Sequence, residues 1–275
     1  MRAPLRGLLL AVAASVACAG CSDQKIDAVV KKLFEPRRSP QQYMIVAVSE
    51  SDPDARREAV AQVANSKDFT HDWAVKGLVA IALLESDPQT RCVAIRGLTR
   101  ARDPRAAETL LKILNFRDYD PGEVRPPDDL VRGDATAGLA SLSDGAVADE
   151  LRPKVRETLL GRVRSDTDRH VRIAAARGLA HYRDADSVQG LIAGLRDDDF
   201  AVVHRCEQSL AELTGVTHDC DVYAWEQWFE ANREDLFARA GTLPESRRPA
   251  YTNHMEQAWH DTREFLEWLF PGKKE

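Results

Sequence analysis

Along the middle of this chain, apolar and small residues fall into a helical period that restarts several times. The clearest stretch reads Asp168-Arg169-His170-Val171-Arg172-Ile173-Ala174-Ala175-Ala176-Arg177-Gly178-Leu179. An Asp opens it, Arg follows four residues on, a small residue seven on and an aliphatic residue eleven on. The same register holds for Asp52/Arg56/Ala59/Val63, Asp87/Arg91/Ala94/Leu98 and Asp128/Arg132/Ala135/Leu139. It holds in part for Asp199/Val203/Cys206/Leu210, where Val203 takes the arginine position. Successive starts lie 35, 41, 40 and 31 residues apart, the period of a two-helix repeat. Offsets of four, seven and eleven trace one stripe of a helix.

The residue types explain the register. Asp52-Pro53 and Asp87-Pro88 read as a helix N-cap followed by proline at the first helical position. There the carboxylate accepts from an orphan backbone N–H and the proline loses nothing. Arg at offset four leans back toward the helix start, within reach of its own or the neighbouring repeat's Asp, so stacked copies would form a ladder. Gly97, Gly138 and Gly178 all sit at offset ten. Glycine inside a helix costs about 1 kcal/mol against alanine, so its recurrence points to close helix contact. Between these cassettes, Val75/Leu78/Val79/Ala82, Ala107/Leu110/Leu111/Leu114 and Val188/Leu191/Ile192/Leu195 mark amphipathic partner helices. A helix pair with one apolar face must bury it against its neighbours. The expected fold is all-α: an α-solenoid of about five helical hairpins over residues 39–215, with residues 216–275 as a helical C-terminal cap and tail.

The Asp…Arg…Ala…Leu cassette, with its endings Arg96-Gly97-Leu98 and Arg177-Gly178-Leu179, resembles a HEAT repeat of the bacterial, phycobilin-lyase-like type. That resemblance implies a protein-binding scaffold, although some relatives are enzymes or chaperones of pigment attachment. It assigns structural roles only: Asp52, Asp87, Asp128 and Asp168 as caps, and Arg56, Arg91, Arg132 and Arg172 as the ladder. Leu213-Thr214-Gly215 followed by Trp225 and Trp228 is similar to the Trp-x-x-Trp helix that closes bacterial arrays of this kind. Terminal repeats need such a cover.

The first twenty residues differ in character. Arg2 and Arg6 precede an uncharged run from Leu8 to Val16, too short to span a bilayer, which needs about 20 apolar residues. The run ends in Ala17-Cys18-Ala19-Gly20-Cys21-Ser22, which resembles a bacterial lipobox. The resemblance implies acyl chains on Cys21, a tether over residues 21–38 and a place in the cell envelope, on the outer membrane or its periplasmic face. An ordinary cleaved secretory signal and an uncleaved anchor are the alternatives. A short amphipathic piece from Ile26 to Phe34 interrupts the tether, and residues 247–270, with Trp259, Phe265, Leu266, Trp268 and Leu269, read as one further helix. The formal charge is −6, and loss of residues 1–20 would deepen it. An acidic chain argues against nucleic acid as the main ligand.

Candidate chemistry is sparse. No Gly-rich phosphate loop, nucleophile elbow or His-Glu iron-binding pair of the deoxyhypusine-hydroxylase kind occurs, so no cofactor, metal or small-molecule ligand is expected. His204 and Cys206 lie two apart on a helix and point to different sides. The irregular segment 117–127 carries Asp118, Asp120 and Glu123 but lacks the remaining ligands of a calcium loop. Cys206 and Cys220 leave a bridge open. Cys92, at offset five, is the one thiol worth testing for a lyase-like activity. The expected function is a membrane-anchored scaffold, not an enzyme. Arg57, Arg96, Arg177 and His204, at offsets five and nine, offer a short basic stripe for an acidic protein partner.

Overall fold

A computed structural model describes residues 38–242 and contains eleven α-helices and no strand among them. They are α1 (Pro40–Ser49), α2 (Pro53–Ala64), α3 (Asp72–Leu84), α4 (Pro88–Ala101), α5 (Pro104–Leu114), α6 (Asp129–Leu142), α7 (Arg152–Ser165), α8 (Arg169–Leu179), α9 (Ala185–Gly194), α10 (Phe200–Thr214) and α11 (Val222–Ala231). The tether, the Ile26–Phe34 piece, Cys21 and the segment 247–270 lie outside the described residues. No described helix is long and apolar enough to cross a membrane.

Each helix start has a local cause. Asp52, Asp87, Asp128, Asp168 and Asp199 cap α2, α4, α6, α8 and α10, each accepting from a backbone N–H of the first turn. Asp103, Asp184 and Asp221 do the same for α5, α9 and α11. Consecutive helices pair as hairpins, α1 with α2 through α9 with α10. The first members, α1, α3, α5, α7 and α9, touch one another in succession and form one layer, which α11 extends. The second members, α2, α4, α6, α8 and α10, form the other layer. The fold is therefore an α-solenoid, and one apolar core runs along it from Ala47 to Leu236.

The glycines at offset ten set the spacing of the second layer. A Cβ on Gly97 would lie 3.1 Å from Ala64 of the preceding cassette helix and 3.2 Å from Leu78 of its own hairpin. On Gly138 it would lie 2.6 Å from Thr99 and 2.7 Å from Leu110, and on Gly178 3.1 Å from the Ala140 backbone and 2.8 Å from Leu159. All three occupy equivalent contacts, where backbone meets side chain with no room between.

The array closes at Glu207. This fully buried carboxylate on α10 accepts from the Trp225 indole and the Thr217 hydroxyl, each at 2.5 Å, and from the Cys220 N–H at 3.2 Å. It ties the connecting loop and α11 to the last hairpin. Trp228 and His218 meet Trp225 edge-to-face, with ring centroids 5.4 and 4.8 Å away. Gly215 ends α10 in the left-handed conformation (φ 74°). A Cβ there would meet the Arg239 carbonyl at 2.0 Å, so only glycine fits.

Candidate functional site

The cassette arginines build a ladder, but its rungs end on different acids from the caps. Arg56 forks onto Glu85 (3.1 and 3.0 Å), Arg132 onto Asp166 (3.2 Å) and Arg172 onto Asp197 (2.7 and 3.0 Å). Each acceptor stands two residues before the next cap and also takes that cap's own N–H: Glu85 from Asp87, Asp166 from Asp168, Asp197 from Asp199. The correction has a simple cause. Each cap carboxylate is already turned onto its own first turn, whereas the residue two before it faces the preceding repeat. Burial alone would raise Asp166 and Glu85. For Asp166 the Asp168 N–H, Arg132 and Arg162 outweigh burial, and for Glu85 the Arg56 fork and the Asp87 N–H do so. Both stay below the ordinary carboxylate range.

Arg91 breaks the series. Pro126 stands where the acid would be, and the 2 % exposed guanidinium donates instead to three carbonyls, of Ala82, Arg125 and Pro126. Burial pushes its pKa down. This clamp, with the Arg125 N–H on Leu83 O, pins the segment 117–127 against the end of α3 and buries Val124. An open groove of about 590 Å³ lies there, walled by Leu84, Phe116, Tyr119, Pro121 and Val124.

The remaining surface of the second layer is its outer face, where offsets two and nine emerge from the cassette helices and offset five does so except at the buried Cys92. On α4 they are Gln89, Cys92 and Arg96; on α6, Leu130, Gly133 and Ala137; on α8, His170, Ile173 and Arg177. On α6 the face is thus low and apolar. Leu130 is 56 % exposed, and a Cβ on Gly133 would meet nothing within 4 Å. Cations rise on both sides. Arg96 reaches from α4 to Asp134 of α6 at 2.9 Å, its side chain still 69 % exposed. Arg177 is exposed on α8 and has no ion-pair partner among the described residues. Arg57 and His204 sit at the two ends of the layer. Arg57 is held by Asp54 (2.7 Å) and Gln89 (2.5 Å), and His204 by Gln208 (3.0 Å) with Phe200 stacked beside it. The basic stripe is therefore broken. Only its middle flanks an apolar floor, and Leu130 is the residue that reading charges alone passes over.

The thiols lie apart from this face's open surface. Burial pushes both Cys92 and Cys206 up to about 12, with Asp134 adding to the effect at Cys92. Cys92 and Cys206 are free thiols. Among the described residues no three His, Cys, Asp or Glu side chains converge as a metal site would require.

A stack of capped hairpins joined by an arginine ladder defines a helical-repeat protein. Residues 123–211 match the family model described as HEAT repeats, a span that runs from the end of the pinned segment into α10. The same hairpin stacking continues through α1 to α5, outside the matched span. No curated protein matches the chain.

Proposed function

We propose that this protein is a HEAT-repeat scaffold that binds a partner protein on the outer face of its second helix layer, at the low apolar floor of α6 between Arg96 and Arg177. The observation that carries this reading is the pairing of an exposed Leu130 with flanking cations on a chain of formal charge −6. An isolated exposed leucine needs no explanation, but an apolar floor with a charged rim is the usual anatomy of a protein interface. A segment carrying aliphatic side chains and carboxylates fits it. Repeat arrays offer such extended surfaces because every repeat presents the same positions to the same side.

Cys21, if acylated within its lipobox-like context, would hold the solenoid at the envelope membrane. Several acyl chains at about 0.8 kcal/mol per buried CH₂ suffice for a stable anchor. No catalytic role belongs to this reading. The lyase-like alternative would need a thiolate, and a buried Cys92 thiol raised to about 12 is almost wholly protonated near neutrality.

Crosslinking in native membranes, comparing the wild type with an L130D/R177E variant, tests the proposal. The attached protein should be lost from the variant while its melting temperature stays within a few degrees, since both side chains are exposed. Undiminished attachment would remove this face from consideration.

A further inference from the structure

The cassette helices show which offsets reach toward the following repeat. Offset four does so in Arg56, Arg132 and Arg172, through Glu85, Asp166 and Asp197. Offset one does so in Arg169, which pairs with Asp199 at 3.1 Å. Offset five does so in Arg57, which reaches Gln89. In α10, the last cassette helix, these three positions hold Phe200, Val203 and His204. Cations that meet an acidic loop have been replaced by an aromatic and an aliphatic residue. Phe200 is 74 % exposed and Val203 is only half-buried. The C-terminal half of α10 is covered on this side by the Glu207-bound loop and Trp225, which leaves the N-terminal half bare.

The helices alternate between layers, and α11 belongs with the first layer, beside α9. The next helix of the chain is therefore due in the second layer, beside α10. The sequence supplies one. Met255, Ala258, Trp259, Phe265, Leu266 and Leu269 fall on one helical stripe of the segment 247–270. The described chain ends at Thr242 next to Gly215, at the C-terminal end of α10. The twelve residues from 243 to 254 can extend about 40 Å. Running the 15 residues of α10 from one end to the other takes about 22 Å.

We propose that residues 255–269 dock as an amphipathic helix on the outgoing edge of α10, over Phe200 and Val203, and so complete a sixth hairpin with α11. The occupant is this chain's own segment, because the edge expects an apolar face and the chain delivers one at that place in the alternation. The inference stands whether or not the α6 face binds a partner.

Hydrogen exchange on the detergent-solubilised full chain, read by mass spectrometry, tests it. In the wild type the amides of 255–269 should exchange at least on the order of tenfold more slowly than an unprotected chain. F200D, at an exposed position that folding does not need, and L266D should each abolish that protection. Exchange in α2 to α8 should be unchanged in both. Three results would overturn the proposal: unprotected amides in the wild type, protection that survives F200D, or protection that vanishes on dilution, which would make the occupant a second copy.

Discussion

Glu207 shows how one side chain can end a repeat array. Its buried carboxylate is held in place because the Trp225 indole, the Thr217 hydroxyl and the Cys220 N–H all donate to it. Removing it orphans these donors together, at about 1–3 kcal/mol for each that stays buried. We expect E207A to lower stability by about 3 kcal/mol or more in urea denaturation and to erase the near-ultraviolet signal of a fixed Trp225. E207Q, which keeps one acceptor oxygen, should lose less. A loss under about 1 kcal/mol for E207A would mean the loop holds without its carboxylate. Nothing in the sequence singles Glu207 out. It sits at offset eight among ordinary surface acids, and its partners come from residues ten to eighteen positions later. The tryptophans were legible because their size and spacing demand a hydrophobic seat. The acid beneath them was not, because a buried acid is recognised only by what surrounds it.

At the scale of the helix, the same glycine can serve opposite ends. Gly178 meets the Ala140 backbone, which cannot step aside, so G178A should cost about 1–3 kcal/mol despite the better helix propensity of alanine. Gly133 faces open space within α6, so G133A should stabilise by about 0.5–1 kcal/mol. Paired thermal melts of the two variants check both signs. Shifts in the same direction would refute the assignment of Gly178 to a contact and Gly133 to a free surface. The cassette helices were legible because cap, arginine, small residue and aliphatic repeat in step. Two first-layer helices were not. α1 leaves Ile45 and Val48 more than half exposed, and α7 buries Thr158 beside Val155, Leu159 and Val163 in a stretch rich in arginine. Their periods are set by neighbours rather than by their own composition. The ladder acceptors escaped for a related reason: Glu85, Asp166 and Asp197 belong to loops, where spacing carries no helical signal.

Over the whole molecule, the ladder couples stability to pH. Asp166 and Glu85 are held below their ordinary values in the folded chain. Their contribution is therefore present above the unfolded carboxylate range, about pH 4, and is lost as pH falls through the folded values. Melting temperature should be level near neutrality and fall below about pH 4, and D166N should flatten that fall while lowering the neutral value. An acid limb as steep in D166N as in the wild type would place the titration elsewhere. The face above this ladder has a metric of its own. Packed helices lie about 8–10 Å apart, and contacts as close as those at Gly97, Gly138 and Gly178 favour the shorter end. A polyproline II segment turns once in three residues and advances about 9 Å. Such a segment laid across the second layer would thus bring every third side chain over the same offset of successive helices, so a partner bound there would be read with a three-residue rhythm.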